Sequence, residues 1–127
     1  MAQAASAAIL KDKKILLIKR SAYTNAFPGH WAFPGGRVDE GETVEEGVIR
    51  EVQEEINLQF KPTRLLAHKK WEDREIYRYL GEWSGEPKPQ AEEVDDWGWF
   101  TYEETKKLPM AFDYTERIEQ LHQEGLL

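Results

Sequence analysis

The apolar residues near the start of the chain fall into two short runs separated by charged residues. Residues 4–10 and 14–18 flank a Lys-Asp-Lys turn, and the second run holds four consecutive aliphatic side chains. A continuous apolar run of this length between turn signals is typical of a strand that is buried on both faces. The pattern therefore predicts two strands, the second in the interior of a sheet.

Residues 21–36 combine turn-forming residues with aromatic ones. Prolines and glycines recur at Pro28, Gly29, Pro34, Gly35 and Gly36, with Phe27, Trp31 and Phe33 between them. Proline and glycine interrupt regular structure, so this segment is predicted to be a loop. Its aromatic side chains are expected to pack together or to bind a ligand.

A helix is predicted over residues 44–56. Thr43 followed three residues later by Glu46 forms a capping-box pattern at its start. Apolar residues then repeat every fourth position, at Val44, Val48, Val52 and Ile56. Asn57 follows, and asparagine adopts the left-handed conformation that ends many helices.

The rest of the chain mixes strand and helix patterns. Strands are predicted at 63–70, 75–83 and 97–100, and a short helix at 103–108. Asp113 and Glu116 have the spacing of a second capping box, ahead of a C-terminal helix. Because strands and helices do not alternate strictly, the order favours an α/β fold with a mixed sheet and helices on both sides. A length of 127 residues predicts a single domain, 1–127.

The charge balance and the residue composition disfavour several classes of partner and cofactor. Seventeen basic and 24 acidic residues give a net charge of −7, which disfavours binding to nucleic acid. The absence of cysteine excludes disulfides, thiolate catalysis and cysteine-bound metals, and the three histidines lack zinc-site spacing. No membrane span or signal peptide is evident, so a cytoplasmic location is expected.

Three carboxylates share one face of the predicted helix. At about 100° per residue, Glu51, Glu54 and Glu55 fall within one sector, beside the apolar stripe. Magnesium suits such a set, because carboxylate oxygens bind hard cations. A solvated acidic face, with Arg50 bridging Glu46 and Glu54, explains the same pattern. A protein-binding helix and a calcium site are further alternatives, although no DxDxDG loop is present.

Residues 36–58, GRVDEGETVEEGVIREVQEEINL, resemble the Nudix box, GX5EX7REUXEEXGU, in which U is a bulky aliphatic residue. The matching positions are Gly36, Glu42, Arg50, Glu51, Val52, Glu54, Glu55 and Leu58. Asn57 replaces the last glycine, and Gly47 stands where the family usually has alanine. Gly47 lies one turn before Glu51 and Glu54, so its missing side chain is expected to leave room above the carboxylates. The preceding FPGG and the later Trp99-Phe100 are also similar to the family.

The resemblance implies an α/β/α sandwich that hydrolyses a nucleoside diphosphate linked to another group. It also implies that the enzyme uses bound Mg²⁺, which Mn²⁺ can replace. It implies a metal site formed by Gly36, Glu51, Glu54 and Glu55. It implies catalytic roles for Glu51, Glu54 and Arg50, of which Arg50 would orient a glutamate. Glu42 would hold the loop against the helix. Glu93, before the last strand, is the candidate for a further metal ligand or general base, with Glu92 as the alternative.

Substrate recognition is expected outside the box. The candidates are an arginine that follows the buried strand, aromatic side chains that stack on a base, and a carboxylate that accepts hydrogen bonds from the base. In chain order they are Arg20, Phe27, Trp31, Phe112 and Asp113. The leading function is conversion of a nucleoside or deoxynucleoside triphosphate to the monophosphate and pyrophosphate, as the resemblance to the MutT-like branch of the family implies. ADP-ribose or a nucleoside diphosphate sugar is the alternative substrate, and a silent nucleotide sensor the alternative class. The sequence leaves the choice between monomer and homodimer open.

Overall fold

The computed structural model describes residues 2–90 and 94–127, which form strands and helices in a mixed α/β arrangement. The chain divides into two compact units, Met1–Ile9 with Pro34–Gln90, and Leu10–Phe33 with Ala91–Leu127. The elements in chain order are β1 Ala2–Ala8, β2 Leu10–Lys11, β3 Lys14–Arg20, β4 Trp31–Ala32, β5 Gly35–Arg37, α1 Val44–Ile56, β6 Gln59–Trp71, β7 Arg74–Ser84, β8 Val94–Thr101, α2 Tyr102–Thr105 and α3 Tyr114–Gln123.

The first unit contains a four-stranded mixed sheet in the order β5-β1-β7-β6. Strand β1 runs parallel to β7 and antiparallel to β5, while β6 and β7 form an antiparallel hairpin. Helix α1 packs against β1, β5 and β6. The mixed sheet predicted from the order of elements is therefore confirmed.

The second unit is built around β3, which pairs with β2, β4 and β8 in antiparallel fashion. Its residues Ile15 to Ile18 are buried, as predicted for an interior strand. Asp12 and Lys13 turn the chain into β3 with φ angles of 51° and 61°. Two consecutive left-handed residues match the twist of a tight β-hairpin.

Helix α1 confirms the predicted boundaries and both of its predicted ends. The Thr43 side chain accepts a hydrogen bond from the Glu46 backbone, and the Glu46 side chain accepts one from the Thr43 backbone. Asn57 ends the helix with φ 61° and ψ 32°. Val48, Val52 and Ile56 are fully buried, so this stripe anchors the helix while its carboxylates lie on an adjoining face.

The capping box predicted at Asp113 is wrong. Helix α3 begins at Tyr114, but the Asp113 side chain makes no capping hydrogen bond. Its carboxylate is fully buried and lies 3.4 Å from the Arg117 guanidinium, one turn along the helix. The second capping box is instead at the start of α2, between Thr101 and Glu104.

The predicted loop 21–36 also contains the short strands β4 and the start of β5. Two- and three-residue strands carry no periodic pattern, so their pairing partners alone define them. Strands β6, β7 and β8 extend beyond their predicted limits, because pairing with neighbouring strands also determines where they end. Within the described residues, no helix combines the length and hydrophobicity that crossing a bilayer requires.

Candidate active site

Arg50 is the centre of a hydrogen-bonded network on α1. Its Nε donates to Glu42 at 2.8 Å, and its Nη1 donates to Glu51 at 3.0 Å and to Glu54 at 2.8 Å. Its Nη2 donates to the backbone carbonyl of Arg37 at 2.9 Å. One guanidinium therefore orients three box carboxylates and ties the helix to the end of β5. It contacts Glu54, as the solvated-face alternative also expected, whereas Glu46 is engaged in the helix cap.

The network favours the charged forms of Glu42 and Arg50. The Arg50 hydrogen bond, followed by a backbone hydrogen bond from Asp39, holds the pKa of Glu42 below its usual value. Glu42 in turn raises the pKa of Arg50, and Glu54 and Glu51 add to that effect. The Asp39 amide donates to Glu42 at 2.8 Å, so this side chain connects the loop to the helix as the sequence predicted.

Gly35 and Gly36 allow close approach of β1 and of a box carboxylate, respectively. The Gly35 amide donates to Glu55 Oε1 at 2.7 Å. A Cβ on Gly36 would lie only 2.6 Å from the Glu51 carboxylate, and a Cβ on Gly35 would lie 2.3 Å from the Ala5 carbonyl oxygen. The two glycines are therefore required by close approach, on one side to a carboxylate and on the other to β1.

Gly47 has a different role from the one expected from the sequence. Its missing side chain was expected to leave room above the carboxylates. In the structure Gly47 is buried against the loop, where a Cβ would meet Val38 Cγ2 at 3.0 Å. The glycine therefore allows the loop after β5 to lie close to α1.

The donor set of α1 fits a hard divalent cation in its chemistry. Glu51, Glu54 and Glu55 supply carboxylate oxygens from one helix, and the bare Cα of Gly36 keeps the space in front of Glu51 open. Among residues 2–90 and 94–127, no three acidic or imidazole groups already converge on one point. Arg50 and the Gly35 amide hold the three carboxylates in their present positions instead.

Replacement of Gly36 by alanine is expected to reduce kcat by about tenfold or more, because small displacements of catalytic groups are costly. The new Cβ would push away the Glu51 carboxylate, which is the end of a flexible side chain and moves without disturbing the backbone. Steady-state kinetics and a thermal melt of Gly36→Ala would separate the two effects. An unchanged kcat would show that Glu51 does not take part in the reaction. A large fall in melting temperature would show that the loss of activity results from impaired folding.

The position of Glu93 lies outside the described residues, as does that of Glu92. The chain leading toward them is fixed to the end of α1, because the Gln90 amide donates to the Glu55 carbonyl at 2.8 Å. The Lys88 amide likewise donates to the Ile56 carbonyl at 2.9 Å. Gln90 therefore lies beside the residue that supplies one of the box carboxylates.

In the second unit, three of the predicted recognition residues lie together. The rings of Phe27 and Phe112 are 4.6 Å apart, and the Arg20 guanidinium lies 5.4 Å from the Phe112 ring. Both phenylalanines have left-handed backbones, with φ of 48° and 46°. Such conformations are costly for bulky residues and are concentrated at binding sites.

The other two recognition candidates are buried. Trp31 is 8% exposed and packs edge-on against Phe100, with 5.1 Å between ring centroids. Asp113 is 1% exposed beside Arg117. The structure therefore places these two side chains in the core of their unit.

Sequence reasoning missed Arg37 and Arg78. Arg37 follows Gly36 and supplies the carbonyl that Arg50 binds. Arg78 is 3% exposed on β7, where it donates to Ser6 at 3.2 Å. The sequence does show a charged residue within a strand of alternating polar and apolar residues. Its burial follows only from the pairing of β1 with β7, which places Ser6 beside Arg78.

The mixed α/β fold and the arginine-centred carboxylate helix together define a protein of the Nudix hydrolase type. The model of the NUDIX domain matches residues 1–121, and the chain belongs to this family. A solved MutT NUDIX hydrolase from Burkholderia pseudomallei is 31% identical, with a TM-score of 0.85, over 94% of this chain and 97% of that one.

Two curated relatives match parts of longer proteins. The chain is 56% identical to an ADP-ribose pyrophosphatase of Methanocaldococcus jannaschii over 46% of this chain and 34% of the relative. It is 30% identical to the NAD-capped RNA hydrolase NudC of Chromobacterium violaceum over 87% of this chain and 42% of that protein. The chain thus spans less than half the length of either relative.

Proposed function

We propose that the protein is a divalent-metal-dependent hydrolase that cleaves a phosphoric anhydride bond in a nucleoside diphosphate derivative. The observation that carries this proposal is the network in which Arg50 and the Gly35 amide orient Glu51, Glu54 and Glu55 beside the bare Cα of Gly36. Such a set of oriented carboxylates suits a metal that shares its coordination with substrate phosphates.

The proposed roles follow from these contacts. Glu51, Glu54 and Glu55, with the Gly36 backbone, would hold Mg²⁺ or Mn²⁺, and the ion would neutralise the pyrophosphate and activate water. Arg50 is a positioning residue, because its donors are engaged by carboxylates and a carbonyl. Glu93 is proposed as a further metal ligand or general base, and the fixed position of Gln90 supports that assignment.

The nucleoside is proposed to bind at Arg20, Phe27 and Phe112 in the second unit. Aromatic faces stack on bases, and a guanidinium binds phosphate. The buried positions of Trp31 and Asp113 favour an indirect contribution to recognition, through the packing of their unit. Residues 1–127 are proposed to act as one catalytic domain, since the family model matches nearly all of them.

The leading substrate is a nucleoside or deoxynucleoside triphosphate, split into the monophosphate and pyrophosphate. The similarity over nearly the full length of a MutT NUDIX hydrolase supports this choice. The ADP-ribose pyrophosphatase relative supports the alternative of ADP-ribose or another nucleoside diphosphate sugar. The net charge of −7 favours a small nucleotide over the capped RNA named for NudC.

A substrate panel with Mg²⁺ tests the proposal. We expect turnover of triphosphates to exceed that of ADP-ribose, dinucleoside polyphosphates and capped RNA, measured as kcat/KM with product identification. Pyrophosphate release from a triphosphate is the expected signature. Binding of nucleotides without turnover of any panel member would support the sensor alternative and overturn the proposed hydrolase.

A further inference from the structure

Phe112 lies in a tight turn that leads into α3. The Tyr114 amide donates to the Ala111 carbonyl at 3.2 Å. This hydrogen bond closes a β-turn that has Phe112 and Asp113 at its centre. The φ angle of Phe112 is 46°, in the left-handed region that favours glycine. A bulky residue keeps this conformation only where the surrounding structure holds it there.

The residues on either side of this turn are anchored to β4 and to the core of the second unit. On one side, the Trp31 amide donates to the Pro109 carbonyl at 2.8 Å, and the Trp31 carbonyl accepts the Ala111 amide at 2.9 Å. On the other side, the Tyr114 ring stacks on Phe33 with 4.4 Å between centroids. These contacts fix the two ends of the turn, and its central residues need a contact of their own.

Asp113, the second central residue, is paired with Arg117 of α3. The Asp113 side chain is fully buried, and its carboxylate accepts a hydrogen bond from Arg117 Nη1 at 3.4 Å. The Arg117 side chain is itself only 13% exposed. Its Nη2 lies 3.7 Å from the exposed carboxylate of Glu116, and its buried Nε has no hydrogen-bond partner within the described residues. The guanidinium is therefore buried with one donor unsatisfied.

Stability alone is a poor explanation for this buried ion pair. Taking two charges out of water is costly, and their attraction compensates for that cost only when the remaining donors and acceptors are satisfied. A well-packed apolar pair is often at least as stable. Because the Arg117 Nε lacks a partner, the pair does not meet that condition. What the pair does provide is a directed contact to Asp113 at the centre of the turn.

The turn also determines the geometry of what we call the recognition surface, which is formed by Arg20, Phe27 and Phe112. The Phe112 ring lies 4.6 Å from the Phe27 ring and 5.4 Å from the Arg20 guanidinium. Arg20 is oriented by its Nε, which donates to the Ala26 carbonyl at 3.0 Å. Both phenylalanines are half-buried, which leaves part of each residue accessible. Relaxation of the Phe112 φ angle to a negative value would carry its ring away from both partners.

We propose that Arg117 is a positioning residue for nucleoside recognition. Through its buried ion pair with Asp113 it holds Phe112 in the left-handed conformation, so the recognition surface is formed before a nucleotide binds. Arg117 acts on the nucleotide only through the turn and makes no contact with it. The assignment rests on the proposed function, in which the nucleoside binds at the recognition surface.

The test uses variants that do not leave a buried charge without its partner. The double variant combines Arg117→Met with Asp113→Asn, which removes both charges and keeps similar side-chain volumes. Arg117→Lys retains a positive charge but loses the planar guanidinium. Glu116→Gln is the matched control, because it removes charge from the exposed neighbour of Arg117 on the same helix. Calorimetric titration of the four deoxynucleoside monophosphates into the full chain in metal-free buffer measures nucleotide binding without a metal at α1.

We expect the wild-type protein to bind at least one monophosphate. The double variant should raise its Kd by about fivefold or more, as expected when a base loses a stacking partner. Arg117→Lys should raise the Kd by about two- to fivefold, because the charge is kept but the geometry changes. Glu116→Gln should change it by less than about twofold. With Mg²⁺, the KM for a nucleoside triphosphate should rise by similar factors, while kcat stays within about twofold because the carboxylates of α1 are unchanged.

Several results would overturn the assignment. They are no monophosphate binding by the wild-type protein, an unchanged Kd in the double variant, and equal losses for Arg117→Lys and Glu116→Gln. A lower melting temperature with an unchanged Kd would show that the ion pair only stabilises the fold. If the double variant does not fold, Arg117→Lys decides, since an unchanged Kd there contradicts the proposal. Failure of the proposed hydrolase function is distinguishable, because it would remove turnover of every substrate while leaving the differences in monophosphate Kd intact.

Discussion

Chelation of divalent metal with EDTA is expected to abolish hydrolysis, and addition of Mg²⁺ or Mn²⁺ should restore it. The substrate is a polyanion, the protein carries a net −7, and Glu51, Glu54 and Glu55 share one face of α1. Without a cation these charges repel the phosphates that must approach them. Initial rates measured before chelation, after chelation and after metal addition provide the test.

The fold should survive this treatment. Arg50 and the Gly35 amide hold the carboxylates through hydrogen bonds within the protein, and the buried stripe Val48, Val52 and Ile56 anchors α1 independently. The far-ultraviolet circular dichroism spectrum is therefore expected to stay constant during chelation. A full catalytic rate in metal-free buffer would contradict the mechanism, whereas loss of the spectrum would assign a structural role to the metal.

Helix α1 shows how much a local pattern can determine. Its start, end and buried stripe follow from side chains within one turn of each other: Thr43 with Glu46, Asn57, and the aliphatic repeat. All the interactions that specify these features join residues that are close together in the sequence. The same locality allowed the sequence to place Glu51, Glu54 and Glu55 on one face.

Features that depend on distant pairing were not accessible in this way. Strand β5 exists because Gly35 to Arg37 pair with β1, some 30 residues earlier in the chain. The false capping box at Asp113 had the correct spacing, but burial beside Arg117 took its carboxylate away from the helix start. Propensity is outweighed wherever tertiary packing supplies a stronger partner.

The candidate site likewise has features that the local sequence predicts and features that depend on distant pairing. The identity of the box residues could be read from the sequence, but the fit of Glu51 against the bare Cα of Gly36 required the position of β5. Such a fit depends on strand register, which no local pattern encodes.

Glu54→Gln and Glu55→Gln are each expected to reduce kcat by well over tenfold while leaving the fold intact. A carboxylate ligand contributes a charge that an amide lacks, and each ~1.4 kcal/mol of lost transition-state stabilisation lowers the rate tenfold. Glutamine retains a carbonyl oxygen, so it can still accept the Gly35 amide at position 55. At position 54 the lost contact with Arg50 is a largely exposed ion pair, worth at most about 1 kcal/mol.

The matched control for these variants is Glu40→Gln, which removes the same charge from an exposed position in the loop before α1. Kinetics and thermal melts of the three variants distinguish metal binding from a general change in charge. The metal-site interpretation requires low kcat at positions 54 and 55, a normal rate at position 40 and similar melting temperatures throughout. Near wild-type rates for both Glu54→Gln and Glu55→Gln would instead establish α1 as a solvated acidic helix, and the catalytic site would have to lie elsewhere in the chain.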